Sequence, residues 1–424
     1  MPMTFRQMSI IIFLVFGVFI TRGTTASQAK TSTKETQPTW WNFQSIDTMK
    51  YSRDRAREFL GSTSVAVENI EWQTAEIAKT GATHIAIATP YDEEFIPILT
   101  KWVKEARKHN LKVWYRGNWS GWEQWFGYAQ IGRAEHLTKT ATFIAAHPEL
   151  FEDGDYFTSC PECENGGPGD PRRTGDAAGH KKFLIDGHSA AQKAFKAIDK
   201  EVNTTLNPMN GDVAQLIMDR ETTKALGGVV SIDHYVKNPQ KLADDITALA
   251  NQSGGTVVLG EFGAPIPDIN GSMTEAQQAA WIEDSLAKIA NIPSLSGLSY
   301  WTNVGGSTQI WNTDGTPRAA VATLTNVFTP PTLTGKVVDQ FGAPITLATL
   351  LTTEKTVTTN ERGEFTLPYL NPTGNVVISA PDHNDTVITW EDLKQNPQQP
   401  LILTKNKTTF FARLMNFFKK AISK

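Results

Sequence analysis

Thr256-Val-Val-Leu-Gly-Glu261-Phe-Gly reads as a buried strand that finishes on a carboxylate. A second segment has the same character: Asp155-Tyr-Phe-Thr-Ser-Cys-Pro-Glu162-Cys-Glu164-Asn-Gly-Gly. A carboxylate at the end of an apolar run is costly unless something receives it. Side chains alternate along a strand, so Val257, Leu259 and Glu261 are expected on one face, and Thr158, Cys160 and Glu162 on another. If those faces line a barrel, both glutamates emerge at its carboxyl-terminal mouth, where barrel enzymes keep their sites.

Outward from these segments the pattern repeats. Strand-like runs are expected at 41–46, 83–89, 111–116, 155–162, 203–208, 228–235, 256–261 and 295–302. Amphipathic helical runs lie between or after them, at 65–80, 95–109, 133–147, 180–202, 212–226, 239–251, 274–290 and 318–327. Alternating strand–helix units argue for an α/β chain with a parallel sheet, and eight of them match a (β/α)8 TIM barrel over 39–328. A doubly wound open sheet is the alternative. It would normally carry a Gly-rich GxGxxG turn after the first strand, and this chain has none there.

Thr329-Pro-Pro331-Thr marks a boundary. Beyond it, 332–404 shows short strands broken by turn residues, the pattern of a small all-β sandwich. At the other end, Met8 to Ile20 is an apolar run behind Arg6, short for a spanning helix. Residues 1–26 are expected to be a signal peptide or an N-terminal anchor, and 27–38 a polar linker. The protein is then exported, either secreted or held at the cell surface. The tail 405–424 holds six Lys/Arg, no acid and an apolar face at helical spacing. A basic amphipathic helix lies on anionic membrane surfaces. Membrane-surface contact through this tail, or through an uncleaved N-terminal segment, stands beside the plainer reading of a helix packed on its own protein or a disordered end.

Composition narrows the function classes. The chain has 424 residues, a net charge of -4 and 12 Trp, with a pI near 6.1. That balance gives no electrostatic case for nucleic acid. Trp stacks on the apolar faces of sugar rings, though it also fills cores. Only two cysteines occur, Cys160 and Cys163. A zinc site needs more ligands than they supply, and residues three apart on a strand point to opposite faces, which disfavours a small-loop disulfide unless Pro161 ends the strand. None of the eight His residues forms the His-x-His of metal-dependent barrel hydrolases. No metal and no cofactor is expected.

Candidate site residues cluster at strand ends. Glu162 and Glu261 form the central pair, with Glu164 as the alternative acid/base. A pair of carboxylates across a barrel mouth is the machinery of glycoside hydrolysis, with retention when they stand ~5–5.5 Å apart and inversion at ~6.5–9.5 Å. Arg116 follows the third strand in Trp114-Tyr-Arg116-Gly-Asn118-Trp119, where a guanidinium would orient a carboxylate. Asn118 and Asn207 offer amides to sugar hydroxyls, His234 and Tyr235 end the sixth strand, and Trp301 ends the eighth. Trp40, Trp41, Trp119, Trp122 and Trp125 are candidates for outer sugar contacts, each more readily explained as packing.

The order and placement of these residues resemble clan A glycoside hydrolases, the superfamily of cellulase-like, family 5-like barrels. That resemblance implies an acid/base on strand four, Glu162, and a nucleophile on strand seven, Glu261. It implies that His234 and Tyr235 orient the nucleophile and touch the sugar, and that Trp301 floors the sugar subsite. Where the clan usually has Asn-Glu-Pro, this chain has Cys160-Pro-Glu162-Cys163. The resemblance implies a β-linked carbohydrate substrate. A catalytically silent barrel that binds glycan at the cell surface is the alternative. The C-terminal region resembles the carboxypeptidase regulatory-like β-sandwich through Gly335, Val337, Asp339, Gly342 and Pro344, then Asn360, Gly363, Phe365 and Leu367. Such modules are accessory.

Overall fold

The structure is a computed structural model, and it describes residues 38–406 apart from Ser62. The expected signal peptide or anchor, nearly all of the linker, and the tail from 407 on lie outside the described residues. Among the described residues no helix is long and apolar enough to cross a membrane.

Eight parallel strands curl into one sheet: β1 Phe43–Asp47, β2 His84–Ile87, β3 Lys112–Tyr115, β4 Tyr156–Phe157, β5 Met209–Asn210, β6 Val229–Asp233, β7 Thr256–Phe262 and β8 Leu295–Tyr300. Their order is β4-β3-β2-β1-β8-β7-β6-β5. The extended chain just before β5 closes the ring against β4. Tyr156 bridges Asn203 in parallel, the Phe157 amide donates to the Asn203 carbonyl at 2.8 Å, and the Thr158 hydroxyl donates to the Leu206 carbonyl at 2.6 Å.

Two layers of apolar side chains follow from strand alternation. Phe43, Ala86, Trp114, Leu206 and Val258, with the half-buried Tyr156 and Val229, form a small cluster that fills the barrel interior. The opposite faces of the same strands, including Ile85, Val113, Val257 and Leu259, pack outward into the large cluster under the helices. Most helices begin and end where the chain predicts. The helix Glu275–Ile289 opens on a capping box between Thr274 and Gln277. The expected 212–226 helix is instead two, Gly211–Ile217 and Arg220–Ala225. Asp219 interrupts it because its side chain caps the second helix, accepting from the Thr222 amide at 2.8 Å.

The fourth strand is the main departure. It was expected to run to Glu162 but ends at Phe157. Cys160 and Cys163 are joined by a disulfide, Pro161 has no amide to donate, and Glu162 adopts a left-handed φ of 44°. A strand cannot continue through those three constraints.

Past the boundary lie two small all-β sheets. One has the order β11-β10-β13-β14 and the other β12-β9-β15, where β9 is Thr332–Asp339, β10 Thr349–Leu351, β11 Thr356–Thr358, β12 Glu364–Pro368, β13 Asn375–Ser379, β14 Thr386–Thr389 and β15 Leu401–Leu403. They share a core of Val337, Leu350, Phe365, Leu367, Ile378 and Leu403, among others. Several residues quoted from this region are turn devices. The Asp339 carboxylate accepts from the Phe341 and Ala343 amides at 2.9 and 3.0 Å. Gly363 has a φ of 72°, and a Cβ there would stand 2.5 Å from the Val337 carbonyl oxygen. Lys355 ties the sheets to the barrel, donating to the Trp40 carbonyl at 2.7 Å.

Candidate active site

Glu261 reaches the barrel mouth by a break in alternation. Val258 faces the interior while Val257 and Leu259 face the helices, so the expected shared face of Val257, Leu259 and Glu261 does not occur. The pairing of β6 with β7 is in step as far as Ile232 opposite Leu259. It then skips Gly260, placing Asp233 opposite Glu261. This bulge turns Glu261 inward. It needs glycine, because a Cβ at 260 would stand 2.5 Å from Asp233 Oδ1.

Arg116 lies at the centre. It follows Trp114 at strand spacing and is 1% exposed. One guanidinium nitrogen, Nη1, donates to Glu261 Oε1 at 2.5 Å and to Asp47 Oδ2 at 2.9 Å. The other, Nη2, donates to Asp233 Oδ2. Three strand ends, β1, β6 and β7, thus deliver carboxylates to one guanidinium, which must be paired because its own charge and those of Asp47 and Asp233 are cut off from bulk water. The Tyr235 hydroxyl donates to Glu261 Oε2 at 2.6 Å. Both oxygens of Glu261 are therefore occupied, and its orientation is set.

Glu162 enters from the turn after β4. One oxygen each from Glu162, Asp233 and Glu261 lie within 4.8 Å of one another. Burial pushes the Glu162 carboxyl up to about 8, and the Glu261 carboxylate adds to that, against the opposing pull of Arg116. Burial likewise raises Asp233 and Asp47, again opposed by Arg116. The three clustered oxygens could in geometric terms surround a cation, but the guanidinium already supplies positive charge to two of the three residues.

The remaining candidates divide clearly. Trp301 is half-buried beside Tyr235, their ring centroids 6.2 Å apart and edge-on, and the Lys50 ammonium stands 5.6 Å from its ring. It remains at the mouth with the glutamates. His234 is not brought to the carboxylates: its Nε2 pairs with Asp245 Oδ2 of the next helix at 2.8 Å. Asn118 is fully buried, accepting from the Trp119 amide at 2.8 Å and pairing with His136 at 3.1 Å. Asn207 is buried, and its amide turns back to the Thr204 and Thr205 carbonyls. Glu164 is 1% exposed; its Oε1 accepts from the backbone and side-chain nitrogens of Asn210 at 2.6 and 3.0 Å. It secures the β5 loop. Trp40, Trp41, Trp119 and Trp122 are buried packing. Trp125 is half-buried under the Arg53 guanidinium, 4.4 Å from its ring.

Two carboxylates at the centre, Asp47 and Asp233, were not singled out from sequence. The signal was present, since each closes an apolar strand in step with interior residues, Phe43 and Val229. Glu123 was missed as well. Burial raises its carboxyl to about 7, and Glu164 nearby adds to the shift. Its place on the short helix Ser120–Glu123 gave no signal.

No family model matches the chain, and no curated protein matches it either. Solved structures do. A GH5_18 protein from Streptomyces cattleya in complex with Manb1-4GlcNAc aligns at 14% identity over 70% of this chain and 84% of its own, with a TM-score of 0.51. A GH5_18 from Bifidobacterium longum subsp. infantis aligns at 13% identity over 86% and 91%, with a TM-score of 0.49. An FMN-binding beta-glucuronidase from Facaelibacterium prausnitzii L2-6 aligns at 13% identity over 76% of this chain, with a TM-score of 0.44. The chain spans about half the length of that protein, 52%. At such identities the likeness shows the fold: the neighbours are glycoside hydrolases, and this chain has their barrel.

Proposed function

We propose that the protein is an exported glycosidase that cleaves β-linked poly- or oligosaccharides with retention, using Glu261 as nucleophile and Glu162 as acid/base. The observation that carries this reading is the meeting of those two carboxyls, with oxygens within 4.8 Å. Oxygens this close support the closely spaced carboxyl pair of a retaining enzyme over the wider pair of an inverting one. The two environments also differ in the required sense. Glu162 is pushed up to about 8, so it carries a proton at neutral pH, while Glu261 accepts hydrogen bonds at both oxygens.

In the first step Glu261 attacks the anomeric carbon while Glu162 gives its proton to the leaving oxygen. Water then attacks the glycosyl-enzyme as Glu162, now a carboxylate, takes a proton from it, and Glu261 is released. Arg116 and Tyr235 hold the attacking carboxylate on line. Trp301 supplies an apolar face for the sugar. The carbohydrate class is supported by this chemistry and by neighbours seen with sugar ligands. Export rests on the N-terminal apolar run, and an accessory role for the small C-terminal sheets on their resemblance to carboxypeptidase regulatory-like modules.

The test is hydrolysis of a panel of aryl β-glycosides, with the anomer of the first product followed by proton NMR. A β-configured first product supports the reading; an α-configured one replaces it with inversion. Glycan binding without any hydrolysis would favour the silent barrel instead.

A further inference from the structure

The candidate acid/base is enclosed in a covalent ring. Cys160 and Cys163 are disulfide-bonded, with Cα atoms 5.3 Å apart, and Glu162 lies between them in the chain. Both cysteines are buried, at 2% and 1% exposure. A ring this short removes little freedom from the unfolded chain, because loop-closure entropy grows with ring size. Its effect is therefore local.

What it does locally is visible at Glu162. That residue holds a φ of 44°, a left-handed conformation unfavourable for a side chain without special support. The ring and Pro161 together turn the chain back at this point. Its outer surface is then anchored. The Glu162 amide donates to the Pro208 carbonyl at 2.8 Å, and the Glu162 carbonyl accepts from the Asn165 amide at 2.7 Å. Trp122 Nε1 donates to the Cys163 carbonyl at 3.3 Å, and the Asn118 amide contacts Cys160 Sγ at 3.8 Å. Buried Asn118 and Trp122, both considered above as sugar contacts, instead brace the ring.

We infer that the Cys160–Cys163 disulfide is the positioning device of the acid/base, holding the Glu162 carboxyl over the bond that Glu261 attacks, in place of the continuous strand that would otherwise carry it. This rests on the retaining reading above. Without the crosslink the turn relaxes toward ordinary backbone angles, and the carboxyl leaves its station opposite Glu261. The nucleophile is untouched, because β7 is anchored in the sheet on both sides.

The test uses this asymmetry. A dinitrophenyl glycoside has a leaving group that departs without protonation, whereas an alkyl or sugar leaving group needs the acid. In the double variant Cys160→Ala/Cys163→Ala, kcat/KM for the unactivated substrate should fall ~10²-fold or more. For the dinitrophenyl substrate it should stay close to the wild-type value. Equal losses on both substrates, or no loss on either, overturn the inference. If the variant does not fold, the disulfide of the folded wild-type protein is opened with a phosphine reductant, two released thiols per chain are counted to show that the buried bond has opened, and the same two substrates are compared, with the same outcomes deciding. A wild-type protein whose first product is α-configured refutes the retaining reading itself, which is a different result.

Discussion

The two glutamates of the mouth reach it by opposite means. Glu261 sits on β7, laddered to β6 and β8, and a single glycine bulge turns it inward. Glu162 sits beyond the end of its strand, in a disulfide-closed turn. The first carboxylate is held at both oxygens by Arg116 and Tyr235. The second is placed by its backbone and feels its neighbours through charge and burial. A nucleophile needs a fixed line of attack, and a sheet interior supplies it. An acid/base must hold a proton, release it and recover it, and a partly exposed turn in a desolvated mouth suits that cycle.

The contrast is broken or sharpened most strongly at Glu261. Glu261→Gln should lower kcat on every substrate by on the order of 10⁶-fold, the scale found when a covalent nucleophile is removed. A residual rate within tenfold of wild type would end the nucleophile assignment. Glu162→Gln should lose ~10²–10⁴-fold in kcat/KM on poor leaving groups and far less on dinitrophenyl glycosides. A leaving-group-independent loss would move the acid elsewhere, with Glu164 and Glu123 the neighbours to substitute next.

Arg116→Ala tests the strand side of the comparison through stability. It strips the partner from Asp47 and Asp233 at once, and removing one member of a buried ion pair costs about 3–5 kcal/mol. Urea unfolding should show that loss, and a shift under about 1 kcal/mol would mean the carboxylates are neutral without the guanidinium. Tyr235→Phe removes one hydrogen bond to a charged oxygen, about 1.5–3 kcal/mol. If that bond matters fully in the transition state, kcat falls roughly 10–100-fold, measured at saturating substrate.

The smallest effect concerns pH. Glu162 has its folded value raised above the ordinary 4.5 to about 8. Between those values the folded chain holds a proton that the unfolded chain has released, so this group's contribution to stability declines as pH rises through the window. Glu162→Gln should flatten the fall in melting temperature between pH 5 and pH 8. The alkaline limb of kcat/KM should lie near pH 8 in wild type and vanish in the variant, as seen in pH–rate profiles. A limb near pH 5 would show the carboxyl to be an ordinary solvated one.

Much of this arrangement could be read in advance because it depends on local periodicity. The alternation of strands and helices predicted the barrel, and Arg116 kept the parity expected from Trp114. The parity argument for Glu261 reached the right mouth for the wrong reason, since the bulge at Gly260 inverts the face. The parity argument for Glu162 has no strand to act on. His234, Asn118 and Asn207 carried suitable chemistry at suitable strand ends, yet tertiary neighbours claimed them: Asp245, His136, and the carbonyls of Thr204 and Thr205.

Chain order alone, then, was enough for the eight-fold barrel and for the face on which Arg116 stands, because hydrophobic periods of 2 and 3.6 are local properties. The grouping of Asp47, Asp233 and Glu261 around Arg116, and the turn that brings Glu162 to meet them, were settled only in three dimensions. The first depends on which strands become neighbours and on the register between them, and the second on the anchoring of the turn, where the Glu162 amide donates to the Pro208 carbonyl. Those are contacts between segments far apart in the chain, and no local pattern encodes the cost or relief of burying one charge beside another.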